Sequence, residues 1–575
     1  MKKVIFTLVL IGAVVYTFNL TNALFWDDTE WIAGNPYVHS ISWNNAGAWF
    51  GENVLAGVGL NSNYYRPVLM ASFAINYVFH HEAPIGYHLV NNGLHIANGI
   101  LIFLLLLLLT RKKFIAFFVA LFFLIHPLQT EAITYISGRG DPLHVFFMLL
   151  ALILFVQAEI RALSWRNWRR PVTLALLVLA LLSRETAIIF PFLLVVVAIA
   201  FLHKPIKRIF LLSLPYFAIV TAYGILRLTV LNFDNTLNFY GSSNPYTESI
   251  IVRLYTFLGV LGEYARLLIF PINQHMERSV DVLTSIMFWE AWVPLIALIG
   301  LLILLLYWYR TKRTTYFPIL FFAMAWFFVC LAPTSGVTPI NALLYEHWLY
   351  LAMIGPLVFI FYVFSRLWER YGTQTNRRIV MILPIVAIAA WFSWLGIQRN
   401  ILWGKPLEFF EDILRYEPQS ARILTNVANI HYHSGDTDSA VEYYWRAVNT
   451  NTIFPQPYYN LGRILFQRDD TRGAIVLFEK AIVADEQFPY SYQELAVIYA
   501  QRGEYERAKQ YLQKLLQILP TEPRAYLNLA KIEFILKHPQ EALILLRDGL
   551  VYADRDLEAK AEMEGLIKKF IGVGS

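Results

Sequence analysis

Long apolar runs alternate with short basic clusters until about residue 400, and then the pattern changes period. Runs such as ILIFLLLLLLT and FPFLLVVVAIAFL are too apolar and too frequent for a water-soluble core. They predict spanning helices near 4–23, 87–109, 114–127, 142–160, 168–183, 186–203, 209–230, 291–309, 316–332, 346–365 and 379–397, eleven in all. RPVLMASFAINYVF (66–79) is short for a span, and Arg253, Glu263 and Arg266 interrupt 251–270. Both stretches are expected to lie flat or half-inserted on the outer side. With eleven crossings, the clusters Lys2-Lys3, Arg111 to Lys113, Arg161 to Arg170, Lys204 to Arg208, Arg310 to Arg313 and Arg366 to Arg378 share one side. The positive-inside rule makes that side cytoplasmic. The loop at Asp27, the stretches 126–141, 183–186, 231–290 and 333–348, and everything after the last helix then face outward.

Beyond residue 400 the spacing is strict. Ala428, Gly462, Ala496 and Ala530 stand 34 residues apart, as do Ala440, Ala474, Ala508 and Ala542. A third column reads Ala447, Ala481, Leu515 and Gly549. Small residues let two helices approach, while Tyr444, Phe478 and Leu512 fill the space between repeats, and Pro520 stands where a turn is due. This is the tetratricopeptide signature, and about three repeats suffice for a stable stack. Its usual use is a concave surface that binds a protein or peptide; the plainer alternative is a stabilising or dimerising appendage.

Composition agrees: 57% of residues are hydrophobic and 15% charged, against roughly 25% charged in soluble domains. The net charge of +6 comes from clusters that orient the chain, so no nucleic-acid partner is implied. The single cysteine, Cys330, excludes an intrachain disulfide. The opening MKKVIFTLVLIGAVVYTFNL reads as a retained helix, because no cleavage site followed by a soluble domain succeeds it. The expected fold is all-α: a polytopic membrane helical bundle over 1–400, a linker helix over 401–419 and a tetratricopeptide α-solenoid over 420–575.

Charge at a membrane edge is costly and marks a polar cavity or a partner. The outer side carries Asp27 and Asp28 in LFWDDTEWI, Arg66 in YYRPVL, His126 and Glu131 in HPLQTEA, Arg139 and Asp141 in GRGD, Arg184 and Glu185 in SRET, and Glu346 and His347 in YEHW. Each alone reads equally as a structural ion pair or a solvated helix end. Together, on one face, they point to a shared polar cavity.

In order, FWDDTEWIAGNPYV, YYRPVLMASFAINY, GYHLVNNGLHIANG, HPLQTEAITYISGRGD, SRETAIIFP and YEHWLYLAMIGP, followed by the repeats, resemble the transmembrane, tetratricopeptide-containing O-mannosyltransferases and their bacterial relatives. His347 stands where that family usually has arginine, and Arg184 where it has the lysine of a Lys-Glu pair. The resemblance implies a GT-C-type glycosyltransferase. Such an enzyme moves a sugar from a polyprenyl-phosphate donor to an extracytoplasmic acceptor, usually with inversion, and the first loop's acidic pair supplies the general base. Asp27 is then the candidate base with Asp28 as its helper, the reverse remaining open. Arg66 and Arg184 are the favoured phosphate clamp, with Arg139, His126 and His347 as further cations. Glu131, Asp141, Glu185 and Glu346 would orient these groups or bind sugar hydroxyls.

No cofactor is expected, and no zinc spacing, nucleotide fingerprint or Gly-rich phosphate loop occurs. Asp27, Asp28 and Glu131 supply the oxygen ligands a divalent metal would need. Two other classes fit the composition: a membrane-anchored tetratricopeptide scaffold, and a transporter of lipid-linked sugars. A scaffold has no use for clustered ionisable residues at helix ends. A transporter should place them near the bilayer midplane and show two similar halves. The expected location is the inner (plasma) membrane, with site and repeats on the periplasmic side. The partners are the lipid-linked donor, the bilayer, and a protein or peptide at the repeats.

Overall fold

The computed structural model describes residues 1–572 except 61, 165–166, 203, 234–243, 312–315, 338–341 and 373–374. Arg166, Lys312 and Arg313 of the basic clusters lie outside the described residues, as do parts of the outward stretches 231–290 and 333–348. Among the described residues all regular structure is helical. The chain divides into two compact units, Met1–Phe409 and Phe410–Ser575.

In the first unit every predicted crossing is a helix. Eight are long and apolar enough to span: Lys2–Asn19, Pro84–Thr110, Ile136–Ile160, Glu185–Leu202, Ile206–Leu228, Trp289–Thr311, Phe317–Thr334 and Arg378–Trp403. A ninth is broken, Glu346–Ala352 meeting Ile354–Tyr371 at 54°. The other two differ from expectation. Lys113–Ile125 and Arg169–Leu181 have 13 residues each, about 20 Å of helix, against a hydrocarbon layer of about 30 Å. The runs that predict them, 114–127 and 168–183, are themselves only 14 and 16 residues long, and each helix ends two residues before its run does. In Trp289–Thr311 only Ala291 is buried, so this helix turns leucines and isoleucines outward all round, as a surface solvated by lipid allows.

Contacts sort the helix ends into two sets. At one end Asn22 donates to the Asn400 carbonyl (2.9 Å), Asn400 donates to the Val15 carbonyl (2.8 Å), and Asn19 reaches Asn92 (3.1 Å) and Thr134 (3.2 Å). The end of the first helix, the start of Pro84–Thr110, the turn after Lys113–Ile125 and the end of the last spanning helix therefore meet. At the other end Lys112 pairs with Glu369 (2.7 Å), and Glu159 takes Arg170 and Arg208. Four of the basic clusters thus meet in pairs, Lys112 with the 366–378 stretch and Arg170 with Arg208 through Glu159.

Pro67–His80 packs Leu69, Met70 and Phe73 inward, with Pro67 in its first turn, where a missing N–H costs nothing. The Val68 N–H is held by the Leu182 carbonyl (3.0 Å). At the break in the ninth span the Trp326 indole N–H donates to the Leu351 carbonyl (2.9 Å). Just after it, a Cβ on Gly355 would lie 2.5 Å from the Ala323 carbonyl oxygen.

In the second unit eight helices from Ala421–His433 to Pro539–Leu550 pair off, and Leu557–Gly572 follows them. The three small-residue columns are buried at every position, and Tyr444, Phe478, Leu512 and Leu546 form the filling between them. A Cβ on Gly462 would sit 2.8 Å from the Phe478 ring. Asp436 and Asp470, also 34 apart, cap their helices by accepting from the Ser439 and Gly473 amides (3.1 and 2.9 Å).

Candidate functional site

The first loop separates the two aspartates. Trp26 has φ +60°, a left-handed conformation costing a bulky residue about 1–3 kcal/mol unless its surroundings hold it. After it Asp27 is exposed while Asp28 is buried. Asp28 Oδ1 accepts the Ser137 amide (2.8 Å) and the Ser137 hydroxyl (2.5 Å). Burial outweighs those hydrogen bonds and, helped by Asp27, pushes the Asp28 carboxyl up to about 7.

Two ion pairs stand beside this loop. Arg66 donates through Nε and Nη2 to Glu185 Oε2 (both 3.0 Å), and the Tyr65 amide donates to Glu185 Oε1 (3.1 Å). Arg184 Nη1 reaches Asp141 Oδ2 at 2.7 Å. The Arg66 guanidinium lies 4.4 Å from the Tyr64 ring centre and 5.8 Å from that of Trp31, in the turn after Asp28. A closed circuit results: Asp28 to Ser137, along the chain to Asp141, then Arg184, Glu185, Arg66, Trp31 and back. Asp27, Asp28, Arg66, Asp141, Arg184 and Glu185 are thus brought together.

Sequence reasoning missed Arg227 and Tyr223. Arg227, in the last turn of Ile206–Leu228, donates to the Asn63 side-chain oxygen (2.7 Å) and to the Leu231 carbonyl. The buried Tyr223 hydroxyl has no hydrogen-bond partner and lies within electrostatic reach of Glu185, Arg227 and Arg66. Arg66 and Arg184 are thus each paired with a carboxylate, and Arg227 is held by Asn63 beside them. An arginine at the C-terminal end of a span was the available signal.

A second cluster holds Glu131, Glu346 and His347. His347 Nδ1 meets Glu131 Oε1 at 2.7 Å, and its amide donates to Oε2 (3.2 Å). Glu346 accepts from Arg278 (2.7 Å), Gln274 (3.1 Å) and the His275 amide (3.1 Å), and Arg278 also reaches Glu263 (3.1 Å). Arg278 too was missed; it lies in a stretch without apolar periodicity to mark it.

Two predicted site residues are used elsewhere. His126 Nε2 meets the Leu268 carbonyl (3.1 Å) and the ring packs on Phe392. Arg139 is fully buried, donating to Asn91 (2.7 Å) and to the Ser72 (3.1 Å) and Tyr87 (3.3 Å) carbonyls, with its guanidinium over Phe73. Both are built into packing, so neither presents a free cation to the loop. Asp27, Asp28 and Glu131 form no three-ligand group either; among the described residues no set of three His, Cys, Asp or Glu is poised around a common ion.

The fold and its polar end define a multi-pass helical membrane protein carrying a tetratricopeptide array. Residues 4–240 match the family of dolichyl-phosphate-mannose-protein mannosyltransferases. Residues 420–452 match a tetratricopeptide repeat, and 467–549 subunit 3 of the anaphase-promoting complex. A protein O-mannosyl-transferase of Caenorhabditis elegans is 25% identical over 78% of this chain and 63% of its own length. Protein O-mannosyl-transferase TMTC2 of Homo sapiens is 31% identical over 28% of this chain and 19% of its own length. The chain thus spans less than two thirds of the length of these curated relatives. Among solved structures, MamA is 22% identical with a TM-score of 0.24, over 26% of this chain and 89% of MamA. The first part of the chain is thus similar to mannosyltransferases of this kind, and the part after residue 420 to tetratricopeptide repeats.

Proposed function

We propose that this chain is an integral-membrane glycosyltransferase that moves a sugar from a polyprenyl-phosphate donor to an acceptor hydroxyl. The acceptor is a protein serine or threonine, or a surface glycan or lipid. Site and repeats face the extracytoplasmic side, opposite the basic clusters, and the repeats take a protein or peptide. The observation that carries the reading is the acidic loop beside three fixed arginines, Arg66 and Arg184 in ion pairs and Arg227 held by Asn63.

A hydroxyl is a poor nucleophile until a carboxylate takes its proton. Asp27, the exposed member of the pair, accepts it as the acceptor oxygen bonds to the anomeric carbon from the face opposite the phosphate. The bond from that carbon to the phosphate oxygen breaks, inversion follows, and polyprenyl phosphate leaves with one more negative charge. Arg66, Arg184 and Arg227 offer fixed donors for that charge, preorganised by Glu185, Asp141 and Asn63. Asp28 acts through Ser137, tying the loop to the segment that carries Asp141. The test is Asp27→Asn in full-length protein, assayed with dolichyl-phosphate-mannose and a Ser/Thr-rich peptide. Transfer should fall about 10²–10⁴-fold with the melting temperature held; unchanged transfer removes Asp27 from the mechanism.

A further inference from the structure

The acidic loop has a second anchor, contributed by the far end of the first unit. Trp403 closes the last spanning helix, and Phe409 follows within Pro406–Tyr416. Their rings are 4.5 Å apart, and both residues are almost wholly buried. Phe25 packs edge-on against both, at 5.7 Å from Trp403 and 5.6 Å from Phe409. Trp26 meets Phe409 at 6.4 Å, and Tyr135 stacks on Trp403 at 5.5 Å. The turn between the two rings fits closely, since a Cβ on Gly404 would lie 2.5 Å from the Asn22 side-chain oxygen.

The two residues just before Asp27 are therefore gripped by rings from nearly 380 positions later, and one of them is Trp26, whose backbone is left-handed. A non-glycine residue stays in that region only where its surroundings over-determine it. Relaxing Trp26 would rotate the peptide that leads into Asp27, and with it the direction of the carboxylate. We propose that Trp403 and Phe409 are positioning residues that hold Trp26 left-handed and thereby aim Asp27. The segment leading from the last span towards the repeats is then a working part of the acidic loop. The proposal rests on the role given to Asp27 above.

The test uses full-length protein. Phe409→Ala should raise amide hydrogen exchange across residues 22–28 about tenfold and leave the helix Lys113–Ile125 unchanged. With the dolichyl-phosphate-mannose probe it should lower kcat about tenfold with the donor KM within twofold. Trp26→Gly, which has no left-handed penalty, should retain more activity than Trp26→Ala. Should Phe409→Ala fail to fold, Phe409→Leu keeps the apolar volume, removes the ring and is read the same way. Wild-type exchange and kcat in the folded Phe409 variant overturn the proposal. Full transfer by Asp27→Asn instead overturns the role of Asp27, and the exchange measurement still decides whether the rings hold the loop.

Discussion

Asp27 and Asp28 are neighbours in the chain with opposite surroundings, and their titration should show it. An unfolded aspartate titrates near 4, whereas burial lifts folded Asp28 to about 7. Between those values the folded chain keeps a proton that the unfolded chain has released. Stability should fall as pH rises from about 4 to about 7 and level off above, by at most ~4 kcal/mol at ~1.4 kcal/mol per pH unit. Asp28→Asn should remove that slope, so the wild-type melting temperature should decline relative to the variant's between pH 5 and 7.5. The sequence showed the pair and its place after the first helix. It did not show which member is buried, because Ser137 lies 109 positions away and serine carries no signal of its own. Arg139 and His126 stood at the expected end, yet carbonyls already occupy their donors, and carbonyls are invisible in a sequence.

At the scale of the element, close approach is the constraint. The Gly355 Cα runs against the Ala323 backbone where Ile354–Tyr371 crosses Phe317–Leu331. Gly355→Ala should push these helices apart at a cost of about 1–3 kcal/mol, seen as a lower melting temperature in detergent. Helix existence was legible throughout, since apolar runs between charges are the signature of a span. Exact length was not: Lys113–Ile125 and Arg169–Leu181 each stop two residues short of the run that marks them, at His126-Pro127 and at Leu182-Ser183. Hydropathy reports burial in lipid or protein alike, so it cannot mark where the hydrogen-bond ladder ends.

For the whole molecule, legibility followed the range of the contacts. The repeats were readable to the residue because each touches its neighbours at a fixed offset. Phe478→Ala should cost about 3–5 kcal/mol, measured as a lower urea midpoint for the helical signal of the second unit, because Phe478 fills the space beside Gly462. In the bundle the partners are far apart: Arg66 and Glu185 by 119 positions, Glu131 and His347 by 216. Residue types marked the right end of the bundle, but only the fold paired them.

The stitch between Asn22 and Asn400 bears on how the bundle is made. The opening loop is synthesised first, yet its asparagine waits for a carbonyl that emerges some 378 residues later. Asn400 then reaches back to Val15 and also to Thr134, in the turn that precedes Ser137. A chain interrupted in translation between residues 348 and 400 would carry every carboxylate and arginine of the two polar clusters and still lack the fastening between its two ends. Completion of the bundle thus doubles as a check on its own manufacture: the earliest-made part is finished by the last.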